Sequence, residues 1–355
     1  MLAPLVAATA LALGGGAAPV PAAASLSLDQ AAGQRIVASL PGTTVSAALA
    51  REIRRGEVAG VILFSRNIAS RVQLRRLTGA LQAARRGGPA ALRELPLLVL
   101  LDQEGGLVKR LPGAPRHSPA QLGRIGSAAL ARSEGLATAR NLRGVGVNAD
   151  LAPVLDVGRP GSSVRALGRS FGASASRVSA LGGAFAAGLQ AGGVLACAKH
   201  FPGLGRGGSN EDDVLNRIAA PASALRAVDE APFRATARAG IAMTMVSTGV
   251  YPALAPGAAM FAPAIATGEL RGQVGFAGVA ITDDLEVPAL PRMTPEAKAL
   301  AAARAGDDLL LFAQTAAAAD RGRAALARAV QAGSLSRAAL AAGADRVIAL
   351  RARLR

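Results

Sequence analysis

This sequence contains no tryptophan, one tyrosine (Tyr251), one cysteine (Cys197) and two histidines (His117 and His200). Each shortage removes a class of explanation. A single cysteine cannot form an intramolecular disulfide, and within the apolar run VLACAKHF it reads as a small buried hydrophobe. Two widely spaced histidines and one cysteine cannot assemble a typical zinc site, and no cofactor is expected. With aromatics at 3%, nucleic-acid bases would find almost nothing to stack on. The arginines are also scattered rather than gathered in a stripe, so nucleic acid is not an expected partner. Lysine is scarce too, with only Lys109, Lys199 and Lys298 among 40 basic residues.

What is present is mostly aliphatic. Hydrophobic residues are 51% of the 355, enough for a sizeable core of Ala, Val, Leu and Ile and too many for a disordered chain. The net charge of +17 has a compositional explanation in the abundance of Ala, Arg and Gly. Its functional alternative is attraction to an anionic cell envelope, since net charge governs non-specific association rather than fold. At the N-terminus, the apolar run over residues 2–13 is too short to span a bilayer. An A-x-A site at Ala22, Ala23 and Ala24 follows it, which is a signal-peptide pattern. A leader over residues 1–24 is therefore expected, without basic residues at its start and without a nearby cysteine for lipid attachment. Residues 25–355 would then be a secreted or envelope-associated monomer with no transmembrane span.

Short apolar runs punctuate the chain: RIVASL (35–40), GVILF (60–64), LLVLLDQE (97–104), VNADLAPVLDV (147–157), ACAKHF (196–201), AMTMVS (242–247), GVAITDD (278–284) and DLLLF (308–312). They are continuously apolar rather than alternating, as strands buried on both faces of a parallel sheet must be. Between them lie segments of helical period. One carries Leu74, Leu77 and Leu81. Another carries Val178, Leu181, Phe185 and Leu189, with Ser174 or Ser176 to cap its start and Gly192-Gly193 to end it. Eight strands alternating with helices predict a single (β/α)8 barrel of the TIM type, followed by a helical tail; a doubly wound open sheet is the alternative. Polar residues recur where the strands end: Asp102 and Glu104, Asp150 and Asp156, Lys199 and His200, Ser247, Asp283 and Asp284. In a barrel those ends converge on one face, where active sites sit. A carboxylate there could attack an anomeric carbon, or it could cap the helix that follows.

Taken together, ILFSRNI (62–68), LDQEGGLVKRL (101–111), NADLAPVLDV (148–157), GRSFG (168–172), AKHFPGLG (198–205) and ITDDLE (281–286) resemble the catalytic barrel of glycoside hydrolase family 3. Within that family the similarity is greatest to single-domain bacterial β-N-acetylhexosaminidases, and it runs in order from about residue 34 to 312. The resemblance implies a retaining glycosidase with Asp283 as nucleophile. It further implies a sugar pocket made by Asp102, Arg110, Arg169, Lys199 and His200, and a glycan containing N-acetylglucosamine, such as a cell-wall fragment, as the substrate. Asp284 is expected to be structural.

Three departures stand out. The family loop after K-H-F-P-G-H-G carries an Asp-x-His pair whose histidine is the acid/base. Here Leu204 replaces the second histidine of the first motif, while Asn210 and Asp212 stand at the dyad positions. Leu107 occupies a position where the family usually has Arg, and VPAL (287–290) replaces the usual Met and small-residue turn. The expected acid/base is then Asp212 or Glu211, if a raised pKa keeps its proton. The alternative is a catalytically inactive barrel that binds envelope glycan without hydrolysing it.

Overall fold

The structure is a computed structural model that describes residues 23–354. Eight strands form one parallel sheet: β1 (Ile36–Ser39), β2 (Gly60–Ile62), β3 (Leu98–Leu101), β4 (Ala149–Asp150), β5 (Leu195–Phe201), β6 (Met243–Val246), β7 (Val279–Thr282) and β8 (Leu310–Leu311). Their spatial order is β8-β1-β2-β3-β4-β5-β6-β7. A parallel bridge from Ile281 to Leu309 joins β7 to β8 and completes the ring. The expected (β/α)8 barrel is the fold, and each of the eight apolar runs supplies one strand.

Both faces of the strands are apolar because each side is dry. Val37, Ile62, Leu98, Leu100, Cys197, Met243, Met245 and Ile281 fill the barrel interior. The alternate residues Ile36, Ala38, Val61, Val99 and Leu101 pack outward against the helices. Cys197 sits in that interior, where burial pushes its thiol far up from the ordinary value. The last helix, Arg337–Ala352, closes the amino-terminal end with Val347 and Leu350. Its buried Arg351 donates to Pro96 O at 2.9 Å and Leu95 O at 2.8 Å, just ahead of β3. Most of the expected leader lies outside the described residues. Ala23 and Ala24 are the exceptions. Ala23 is buried, and its N–H donates to Asp345 Oδ1 at 2.6 Å on the last helix. Among the described residues no helix is long and apolar enough to cross a membrane.

The outer helices follow their sequence signals. Ser70 caps Arg71–Arg86, and Ser174, rather than Ser176, caps Ala175–Ala191, which ends at Gly192. The second of these helices packs closely on Ala128–Arg143 through glycine. A Cβ added at Gly135 would lie 2.1 Å from Phe185 O, and one at Gly188 would lie 2.2 Å from Arg132 O. Glycine lets the two backbones meet there, whereas Gly79 of Arg71–Arg86 is exposed with no atom within 4 Å of an added Cβ. The same substitution should therefore have opposite signs at these places. Gly79→Ala gains about 1 kcal/mol of helix propensity, while Gly188→Ala loses roughly 1–3 kcal/mol to overpacking. Urea unfolding of the two variants beside the parent protein measures both, and a stabilised Gly188→Ala would contradict the packing described.

Candidate active site

The carboxyl ends of the strands surround a cavity of about 460 Å³, and every site residue expected from the sequence lines it. Strand β5 is the organising element. Its last residues bring Lys199 and His200 to the cavity, both buried. Asp156, beyond β4, fixes this end. Its Oδ2 lies 2.7 Å from His200 Nδ1, while its Oδ1 accepts from Leu204 N at 2.6 Å and His200 N at 3.3 Å. Gly205 continues the turn because a Cβ there would lie 2.1 Å from Val157 O. Burial alone would lower the His200 pKa, but the Asp156 charge and hydrogen bond, with Glu211 and Asp283, raise it above its ordinary value.

A buried ion network covers the neighbouring wall. Lys199 Nζ lies 2.7 Å from both Asp102 Oδ1 and Glu104 Oε1. Arg169 grips Glu104 with two hydrogen bonds of 3.0 Å and Glu211 Oε1 with a third of 2.6 Å. Arg110 reaches Asp102 at 3.5 Å. Burial works against the charged forms of Asp102 and Glu104, yet Lys199 with Arg110 or Arg169 holds both carboxyls below their usual range. Glu211 follows the same balance: burial opposes ionisation, but His200 and Arg169 bring it down to about 2. It is an ionised anchor at neutral pH.

Asp283 behaves in the opposite way. It follows β7, is buried, and accepts from the Asp284 N–H through Oδ1 at 2.9 Å; its Oδ2 has no hydrogen-bond partner among the described residues. Burial, with Asp212 and Glu211 adding to it against His200, raises its pKa to about 7. Asp284 accepts from Glu286 N, Ala313 N and Gln314 Nε2 at 3.0 Å each, tying the loop after β7 to the end of β8. Neither aspartate caps a helix, since the next helix begins at Pro295 with Thr294 as its cap. The capping alternative therefore fails for both.

Asp212 is exposed at the cavity, on the loop that Glu211 anchors. The protein around it and the Glu211 charge raise its carboxyl above the ordinary value, against His200, Arg169 and Lys199. The loop is also tied across the cavity mouth, where Ala289 N donates to Asp212 O at 3.2 Å. His117 plays no part in this wall: its Nδ1 lies 2.6 Å from Glu134 Oε1, and it does not line the cavity.

Three residues matter more than the sequence indicated. Glu104 bridges Lys199 and Arg169, Asp156 orients His200, and Asp150 sits beneath the network with its pKa raised by burial to about 8. All three were visible as acids at strand ends. Their partners were not, because contact between residues 104 and 169, or 156 and 200, exists only after the barrel closes.

Comparison with known proteins agrees with this geometry. The family described as Glycosyl hydrolase family 3 N terminal domain matches residues 27–350. An "Uncharacterized secreted glycosyl hydrolase" of Arthroderma benhamiae is 37% identical over 82% of this chain and 84% of its own. A "Beta-hexosaminidase" of Alkalilimnicola ehrlichii is 35% identical over 78% of this chain and 80% of its own. Among solved structures, a family 3 β-N-acetylglucosaminidase from Paenibacillus superposes with a TM-score of 0.87 at 33% identity; it covers 93% of this chain, which spans only 63% of that longer protein. The β-N-acetylhexosaminidase of Beutenbergia cavernae superposes with a TM-score of 0.83 at 32% identity, over 92% of this chain and 99% of that one. With a matched barrel and this extent of similarity, the chain belongs to glycosyl hydrolase family 3, as a glycosidase built on that family's N-terminal domain.

Proposed function

We propose that this protein is an exported retaining glycosidase that releases non-reducing β-linked N-acetylglucosamine from cell-wall fragments or related glycosides. The observation that carries the reading is Asp283: a buried carboxylate lining the cavity, with one oxygen unpartnered, beside a wall of paired charges. The names of the bacterial and structural relatives support the sugar. The leader-like N-terminus and the secreted fungal relative support export.

In this reading Asp283 attacks the anomeric carbon through an oxocarbenium-like transition state and forms a glycosyl-enzyme. Asp212 gives its proton to the departing oxygen, then takes one from the water that releases the sugar. What supports Asp212 over Glu211 is electrostatic. A carboxyl held at about 2 has no proton to give at neutral pH, whereas that of Asp212 is shifted upward. Glu211 instead holds the loop on Arg169. The network cations and Asp102 present fixed partners for sugar hydroxyls, and they need no rearrangement when charge develops in the transition state.

Removing the proton donor should be felt most where the leaving group is poor. Asp212→Asn is expected to slow hydrolysis of an N-acetylglucosamine disaccharide by roughly 10²–10⁴-fold, with a much smaller effect on formation of the glycosyl-enzyme from an activated aryl glycoside. Because Asp212 helps raise the Asp283 pKa, the ascending limb of kcat/KM, expected near pH 7, should also move to lower pH in this variant. An unchanged disaccharide rate would remove Asp212 from the mechanism. Sugar binding by the parent protein without turnover of any N-acetylglucosaminide would favour the silent barrel.

Asp283 also links function to stability. Its carboxyl holds a proton in the folded protein to about pH 7, but in the unfolded chain only to its ordinary pKa. The unfolded state therefore binds fewer protons between those values, and stability falls as pH rises through that window. Asp283→Asn should abolish turnover and raise Tm by roughly 3–6 °C at pH 8, with less gain at pH 4. Paired thermal scans at the two pH values read this, and a lower Tm at pH 8 would contradict the cost assigned to the buried charge.

A further inference from the structure

The outer wall of the barrel around β2 and β3 has a charge pattern that the active site does not explain. Between residues 58 and 210 there are six acids, and five of them (Asp102, Glu104, Glu134, Asp150 and Asp156) are buried. Glu94 alone is exposed, 3.6 Å from Arg93. The exposed positions of helix Arg71–Arg86 hold Arg71, Arg75, Arg76 and Arg86, with only Val72, Gly79, Ala80 and Ala83 between them. Those of Ala128–Arg143 hold Arg132, Arg140 and Arg143, with Ala128, Ala129 and Ser133. None of these seven arginines is ion-paired among the described residues.

The two faces are joined. Arg71 Nη1 donates to Asn141 Oδ1 at 2.7 Å and Thr78 Oγ1 to Val145 O at 2.8 Å, which sets the first half of one helix against the end of the other, where Arg140 and Arg143 stand. Beyond the far end of Arg71–Arg86, a Cβ added at Gly87 would lie 3.4 Å from Arg54 Cδ, so exposed Arg54 of helix Ala47–Arg55 extends the stripe past Arg86. A recess of about 250 Å³ at the Arg143 end is lined also by Arg353 and Asn148, and by no acid. An arginine-rich composition does not account for this wall, because on Ala316–Gln331 the same residue is paired: Arg321 with Glu296 at 2.7 Å and Arg323 with Asp320 at 2.8 Å. A solvated helix face is ordinarily supported by acids three or four residues from its cations. Here like charges repel across neighbouring turns, and an external anion relieves that repulsion.

The partner that fits is broad and anionic. Guanidinium groups bind phosphate through a bidentate fork, and the small residues between them leave low relief for a flat surface. Nucleic acid fits less well, since no exposed position of either helix carries an aromatic on which a base could stack. We infer that the wall formed by Arg71–Arg86 and Ala128–Arg143 is a docking face for an anionic phospholipid bilayer. The barrel would lie on its side, with the cavity at the carboxyl ends of the strands left uncovered. This goes beyond the glycosidase reading and does not depend on it.

The test is co-sedimentation of the full chain with vesicles of phosphatidylcholine alone or mixed with phosphatidylglycerol. Binding to the anionic vesicles should exceed that to neutral ones by at least about tenfold, because each arginine near such a surface contributes, and it should weaken as salt is raised. Two charge-matched variants separate this face from the overall charge of +17. The first reverses the wall: Arg75→Glu, Arg76→Glu, Arg132→Glu and Arg140→Glu. The second reverses four exposed, unpaired arginines elsewhere: Arg217→Glu, Arg238→Glu, Arg292→Glu and Arg328→Glu. Thermal melting selects folded preparations of each. The wall variant should lose at least about tenfold in vesicle affinity, and the control should stay within about threefold of the parent. Equal losses in the two variants, equal binding to neutral and anionic vesicles, or tighter binding of duplex DNA than of anionic vesicles at the same salt overturns the inference. If the four wall reversals unfold the chain, Arg75→Gln with Arg140→Gln replaces them, and an affinity equal to the parent's then overturns it.

Discussion

The ion pairing of Glu104 with Lys199 and Arg169 is the interaction on which the site depends. It joins the end of β3, the loop after β4 and the end of β5 in one buried cluster. Through Arg169 it also captures Glu211 and with it the loop that carries Asp212. The cluster survives burial because each charge has a partner at hydrogen-bond distance; removing one partner from such a pair typically costs 3–5 kcal/mol, since it strands the other. The wall is stiff for the same reason.

That stiffness lets one fold hold carboxyls in opposite states. Glu211 is ionised because Arg169 and His200 face it, while Asp283 resists ionisation because burial dominates and other acids lie nearby. Both residues are acids at the carboxyl end of one barrel, and only their neighbours distinguish them. The site thus carries an energetic cost at Asp283 that the apolar core must offset, as functional sites commonly do.

Most of the fold was legible in the sequence. Eight apolar runs gave eight strands, because dry faces on both sides demand continuous hydrophobicity. Ser70 and Ser174 marked helix starts because a hydroxyl at that position satisfies an otherwise orphan backbone N–H. Less of the site could be read. The departure of the 206–213 loop from the family motif left Asp212 as the candidate acid with Glu211 as its alternative; the strand-end pattern placed Asp102, Lys199, His200 and Asp283 on one face, and all four line the cavity. It also left Asp283 and Asp284 open as helix caps, although the helix after β7 begins eleven residues beyond Asp284.

The sequence by itself determined which residues could become strands and helices, and which acids and bases would stand at strand ends. Those properties depend on spacing and side-chain type within a few residues. Tertiary structure alone decided which acid is held ionised, which histidine is held against an aspartate inside the cavity, and that Leu107 and Leu167 line that same cavity. The physical reason is distance. A carboxyl's pKa and a leucine's exposure are set by atoms within a few ångströms, and here those atoms come from residues dozens of positions away, brought together only when the barrel closes.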